Sequence, residues 1–273
     1  MNLCALLLPL AATLSAQDAR EIVRKSVDLD QLNWLRMKNY TWIARLTERN
    51  LDNSGKVKSE DKEAWETVVL YGEPCRRMLE RNGKPLSANE QRKQQEKLDR
   101  TVSKLENESA EERKRRLEKE EKERIQDREF LREIPDLYDF HLAGEAKIDG
   151  RETWIVDAAP KPGYQPRQSD AKPLLKIKGR IWIDKSEYQW VRLEAETTGT
   201  ISYGLFLARL NPGAKLVFEQ ERVNDEIWLP KREFTRGSGR LGLIKKIRME
   251  EELTWNNYHK FEAESKIVLE VTK

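Results

Sequence analysis

The 273 residues contain only two cysteines and two histidines, the side chains that most often ligate metals or act as nucleophiles. His141 and His259 lie far apart, and neither has a second His or a Cys at ligand spacing, so the pattern excludes a zinc centre. A Gly-x-Ser-x-Gly elbow is missing and no Ser, His and Asp group together, which removes the usual hydrolase triads. Gly237-Ser238-Gly239 has neither a following Lys-Ser/Thr pair nor a helical pattern after it, and reads as a hairpin turn rather than a phosphate loop. Nothing in the sequence asks for a metal or cofactor. With 36% charged and 38% hydrophobic positions, the chain is too polar to cross a membrane repeatedly. Charge of one sign is scarce too: 51 Lys and Arg against 48 Asp and Glu leave +3, a weak pull on any polyanion. The one basic cluster, Arg113-Lys114-Arg115-Arg116, sits between Glu111-Glu112 and Glu118, Glu120 and Glu121, which argues against a nucleic-acid partner.

The first sixteen residues read as a secretion signal. Leu3 to Leu14 carries no charge and ends in Ser15-Ala16 before Gln17-Asp18, an apolar core with a small residue where a peptidase would cut. The run is shorter than the roughly 20 residues a bilayer span needs, and Pro9 interrupts it. Cys4 comes too early for lipid attachment. Cleavage near Ala16 gives a periplasmic or secreted protein that is not an integral membrane protein, with residues 17–273 as a single domain. Cys75 is then its only cysteine, unable to form an intramolecular disulfide and best read as a small buried residue.

Residues 18–38 suit an amphipathic helix, with Ile22, Val23, Leu29, Leu32, Leu35 and Met37 apolar and the three leucines stepping by three along one buried stripe. Tyr40 to Thr47, Trp65 to Leu70 and Cys75 to Arg81 read as strands, separated by Asp52-Asn53-Ser54-Gly55 and closed by Asn82-Gly83. Residues 88–133 differ in kind: equal numbers of acidic and basic side chains, few aromatics and no proline predict a charged helical insertion of one or two helices. Leu98, Val102 and Leu105 begin a coiled-coil seam that fails at Ser109 and Glu112, so docking of one helix end on the core is the better reading.

From Leu137 onward strand patterns follow closely: Phe140 to Ile148, the turn Asp149-Gly150, Thr153 to Val156, then a loop rich in Pro and Gly up to Pro173. In the next two strands alternation places Ile181 and Ile183 with Val191, Leu193 and Ala195, and sets Trp182, Asp184 and Trp190 on the other face. Ile201 to Leu207, Leu216 to Glu221, Ile227 to Leu229, Leu243 to Trp255 and Ala263 to Val271 continue the meander. About ten strands without intervening helices predict an antiparallel sheet large enough to curl, and exclude a doubly wound parallel one. Seven of the eight tryptophans fall in or beside these strands. They serve either as ordinary core packing or as the lining of an apolar cavity.

The order of these elements resembles the periplasmic lipoprotein-carrier superfamily (LolA-like). The signal, the N-terminal helix, the strands from Tyr40, the hairpin at Asn82-Gly83-Lys84, and Gly179-x-x-Trp182-Ile183-Asp184 followed by Trp190-Val191-Arg192-Leu193-Glu194 carry the resemblance. It covers residues 18–86 and 137–273 and leaves 88–133 as an insertion. The chain departs from the family in Gly72-Glu73-Pro74, where the carriers commonly place a basic residue before the proline. The resemblance implies an α+β fold: a strongly curved antiparallel sheet forming an unclosed β-barrel, with a helical lid over an apolar cavity. It further implies a lipid, a lipoprotein acyl chain or another apolar envelope ligand. Parity and aromatic content select Trp42, Leu46, Trp65, Val69, Ile181, Ile183, Val191, Leu193, Phe218, Leu229, Met249 and Leu253 as the candidate lining. The expected function is non-catalytic binding. The alternatives are an envelope interaction or sensor module docking a protein partner through its charged helices, and a hydrolase whose site the sequence does not disclose.

Overall fold

A computed structural model describes residues 16–203, 208–242 and 245–261. The secretion-signal core and the expected strand at Ala263 to Val271 lie outside the described residues.

The chain opens with α1 (Ala16–Arg36) and runs through a short 3₁₀ turn into β1 (Tyr40–Leu51), β2 (Val57–Leu70), β3 (Glu73–Arg81) and the two-residue β4 (Lys84–Pro85). Two charged helices follow, α2 (Ala88–Glu106) and α3 (Ala110–Glu129), then a 3₁₀ turn and α4 (Ile134–Leu137). The second half is β5 (Tyr138–Ile148), β6 (Arg151–Pro160), a 3₁₀ segment Ser169–Lys176, β7 (Ile177–Asp184), β8 (Trp190–Thr197), β9 (Ile201–Tyr203), β10 (Ala208–Leu210), β11 (Lys215–Val223), β12 (Ile227–Leu241) and β13 (Lys245–Lys260).

All strand pairs are antiparallel, and the main path is β4-β3-β2-β1-β13-β12-β11-β8-β7-β6-β5, with β9 and β10 attached to β12 at the side. The first and last strands of that path do not pair, so the barrel is unclosed. β13 is the hinge of the order: it returns to lie between β12 and β1 and joins the two halves of the chain. Curvature is written into the sequence. Register shifts place an extra residue in β3, β5, β8, β12 and β13, and each such bulge bends its strand. At Gly179 an added Cβ would lie 2.8 Å from the Glu194 carbonyl oxygen, so β7 and β8 approach there as only glycine allows.

The hairpins follow the turn chemistry expected of them. Asn82-Gly83, Asp149-Gly150 and Asn224-Asp225 all take positive φ. Ser87 with Glu90 and Ser109 with Glu112 form capping boxes that start the two charged helices. Leu98 docks α2 on Val68 and Cys75, and burial pushes the Cys75 thiol up, as suits an inert residue.

Four expectations need correction. The buried stripe of α1 is not Leu29-Leu32-Leu35; it runs Ala19, Ile22, Val23, Ser26, Val27, Asp30 and Asn33, and Leu32 is 49% exposed. A register shift between Trp182 and Ile183 lets Trp190 pair with Ile183 and enter the core, although strict alternation places it opposite. Gly237-Ser238-Gly239 is not a turn but the middle of β12. There the missing Cβ atoms make room for Ala214 and for the backbone of Arg209. The strand at Ile227 to Leu229 runs on to Leu241, because Pro230 sits beside a bulge at Lys231 in β12, where a missing N–H is tolerated.

Candidate functional site

α1 lies across one face of the sheet and covers two different surfaces. Its N-terminal half buries Ala19, Ile22, Val23 and Val27 against Ile134, Leu137, Tyr138, Phe140, Val156, Ile181, Ile183 and Trp190. This end is packed solid. Ile181 and Ile183 belong to it, Leu193 packs against it half-buried, and Val191 is buried at the bulge.

Beyond Val27 the stripe turns polar, and a cavity of about 310 Å³ opens between helix and sheet. Asp30, Asn33, Trp34 and Met37 line it from the helix side and Arg128 from the end of α3. Its floor is Phe218 and Gln220 on β11, Trp228, Leu229, Pro230 and Glu233 on β12, and Trp255 on β13. Of the candidate lining residues, Phe218 and Leu229 are in this wall. Trp42 packs on the neighbouring cluster of Met37, Tyr40, Ile227 and Leu229. Leu46 and Leu253 face each other across β1 and β13, and with Met249, Trp65 and Val69 they stay half-buried on the part of the sheet that α1 leaves open.

The wall residues absent from the candidate lining had uneven signals. Trp255 shares the parity of Leu253, and Gln220 that of Phe218, so the same rule reaches both. Arg128 comes from the charged stretch, where nothing distinguishes it from its neighbours.

The polar groups tie the lid down. Asp30 pairs with Arg128 and accepts from Gln220 Nε2 at 3.4 Å. Burial nevertheless pushes the Asp30 carboxyl above its ordinary range, against the pull of Arg128 and of that hydrogen bond. Asn33 Nδ2 donates to Gln189 Oε1 at 2.5 Å, and Trp34 Nε1 to the Arg124 carbonyl at 3.2 Å. The guanidinium groups of Arg124 and Arg128 each lie 4.9 Å from the Trp34 ring centre, which fastens α3 to α1. Glu233 has no hydrogen-bond or ion-pair partner among the described residues; burial and the nearby Glu251 push its carboxyl up.

Size limits what fits. At roughly 30 Å³ per water-sized group, the cavity holds on the order of ten heavy atoms, the low end of small-ligand sites. That is the size of a headgroup or of one chain end. A larger hollow of about 620 Å³ lies over β5 to β8 and β11 among Asp139, His141, Asp157, Lys178, Arg180 and Glu194. It is an open surface trough, and Arg180 crosses it to hold Asp157 at 2.6 and 2.8 Å.

The Trp182-Ile183-Asp184 motif is structural. The buried Asp184 carboxylate accepts from Arg151 Nε at 2.6 Å, Ser186 Oγ at 2.6 Å, and the Ser186 and Glu187 backbone N–H groups at 2.9 and 2.7 Å. These bonds build the β7–β8 turn.

Fold and site together define a class: an unclosed antiparallel sheet with a helical lid and a cavity beneath it. No protein-family model matches the chain, and no curated protein matches it. Among solved structures it is similar to a putative outer membrane lipoprotein-sorting protein domain from Vibrio parahaemolyticus, at 10% identity and TM-score 0.33, over 92% of this chain and 96% of that one. A DUF1329 family protein from Desulfovibrio piger is similar at 13% identity and TM-score 0.31, over 89% and 92%. A LolA superfamily protein from Nitrosomonas europaea is similar at 10% identity and TM-score 0.30, over 89% and 94%. Two of the three carry the lipoprotein-sorting or LolA designation. Among the described residues no helix is long and apolar enough to cross a membrane.

Proposed function

We propose that this is an exported, non-catalytic binding protein that holds an acyl chain or another apolar envelope ligand between α1 and the open part of the sheet. The observation that supports it is the aromatic-walled cavity beneath α1, beside which Leu253, the cross-strand neighbour of Glu233 in its wall, and Leu46 stay half-buried. Burial alone supplies the affinity: each CH₂ removed from water contributes ~0.8 kcal/mol, so a chain of moderate length needs no covalent chemistry. Among the described residues the cavity wall contains no Ser, Thr, Cys, Lys or His to act as a nucleophile. The uncharged run from Leu3 to Leu14 supports export to the periplasm or beyond.

Native mass spectrometry of the protein purified from its own cell envelope tests this. A lipid-sized adduct is expected, and Phe218→Glu, which puts a charge into the cavity floor, should remove it. Protein without an adduct that captures an envelope protein only when residues 88–133 are present overturns the proposal in favour of the docking module.

A further inference from the structure

The two faces of the sheet treat charge differently. On the face away from α1, neighbouring strands match their charges: Arg49 with Glu60, Arg232 with Glu252, Arg236 with Glu250, and Arg192 with Glu219. On the lid-facing side, Glu48 and Glu251 stand directly opposite each other on β1 and β13, and Glu233 is opposite Leu253 on β12. None of these three carboxyl groups has a hydrogen-bond or ion-pair partner among the described residues, and like charges directly opposed across strands are destabilising. Glu233 reaches the cavity, where Arg128 is already committed to Asp30, so the wall is left with one unmatched negative charge. A second, independent feature lies in the same wall. Gln220 is 7% exposed and its Nε2 donates toward Asp30, which leaves its Oε1 as an acceptor with no partner.

An unmatched carboxylate, an unmatched buried acceptor and the aromatic rings of Phe218 and Trp255 share one complement: a positively charged N–H donor. Resting on the binding function proposed above, we infer that the cavity takes a primary ammonium group carried on an apolar chain. The ammonium lies between Glu233 and Gln220 Oε1, and the chain runs out over Leu253 and Leu46. An anionic head would meet Glu233 at the floor and Glu251 and Glu48 along the exit.

Decylammonium, decyl maltoside and decanoate, titrated below their micelle concentrations and followed by tryptophan fluorescence, separate the possibilities. Decylammonium should bind about tenfold more tightly than the other two. Glu233→Gln should remove that advantage and leave decyl maltoside unchanged. Should Glu233→Gln fail to fold, the wild-type salt dependence decides: added salt should weaken decylammonium and leave decyl maltoside alone. Equal binding of decylammonium and decyl maltoside, insensitive to salt and to the substitution, overturns the ammonium site but leaves the apolar-chain function standing. Preference for decanoate overturns the ammonium site as well. No binding of any probe overturns both.

Discussion

Ile183 and Leu253 were chosen from the sequence by the same rule, yet the fold gives them opposite work, and that difference can be measured. Ile183 is fully buried beneath α1 in the filled end of the core. Replacing it with Ala removes three carbon groups worth ~0.8 kcal/mol each and leaves a hole that close-packed neighbours cannot fill, for a total of about 3 kcal/mol. Against a typical total of roughly 5–15 kcal/mol, the variant still folds but melts early in urea. Leu253 is half-buried on the open strip. Leu253→Ala loses the same carbons where much of their surface is already wet, so its stability cost should be about 1 kcal/mol. Ligand affinity should reverse the order. A chain lying on the strip covers Leu253, and truncation should weaken it about fivefold, whereas Ile183→Ala should leave it unchanged as long as the protein is folded. Urea denaturation gives the stabilities, and titration with decyl maltoside gives the affinities. Equal stability losses in the two variants, or weakened binding in folded Ile183→Ala, would refute the division of the sheet into a filled and an open end.

The two buried aspartates should respond to pH with opposite sign. Burial opposes charge on Asp184, but Arg151, Ser186 and the Glu187 N–H outweigh it and hold the carboxyl below the usual range; the stability this contributes is complete above the unfolded pKa near ~3.9 and is lost as pH falls through the lowered value. Asp184→Asn should therefore cost about 2 kcal/mol at neutral pH with the gap closing in acid, and a gap that stays constant down to about pH 3 contradicts the reasoning. For Asp30, burial raises the folded pKa despite Arg128, so its charge is a net cost at neutral pH that disappears as pH falls through that value. Asp30→Asn should be at least as stable as the wild type at neutral pH and lose any advantage in acid; a loss as large as that of Asp184→Asn would show that Arg128 compensates fully for burial.

What the sequence disclosed and what it hid follow from range of interaction. Hairpins were legible because Asn-Gly and Asp-Gly act over two residues, and the charged helices because opposite charges pair over a single turn and no proline interrupts them. Alternation failed where a bulge intervened: the extra residue Val191 in β8 moved Trp190 into the core, and the strand from Ile227 was read only to Leu229 because the bulge at Lys231 that accommodates Pro230 shows only in the pairing with β11. The α1 stripe misled for another reason. Leu29, Leu32 and Leu35 outrank Ser26, Asp30 and Asn33 in hydrophobicity, but the partners that make the polar residues buriable, Arg128, Gln220 and Gln189, lie 98, 190 and 156 positions away from Asp30, Asp30 and Asn33 respectively.

That polar second half of the stripe bears on how a ligand would enter. Apolar packing holds the first half of α1 at Ala19, Ile22, Val23 and Val27, and separating those residues from the sheet would expose a continuous core. The second half is held by directional bonds, Asp30 to Arg128, Asn33 to Gln189 and Trp34 to Arg124, each of which water can replace when it opens. The cost of lifting the two halves therefore differs in kind. Opening at the Asn33 end exchanges these hydrogen bonds with solvent but also strains the cluster of Trp34, Met37 and Tyr40 that follows, while opening at the Ala19 end dismantles the larger core. The cavity therefore lies under the part of α1 held by polar bonds, between the solid core at its N-terminal end and the apolar cluster of Met37, Tyr40, Ile227 and Leu229 that follows it.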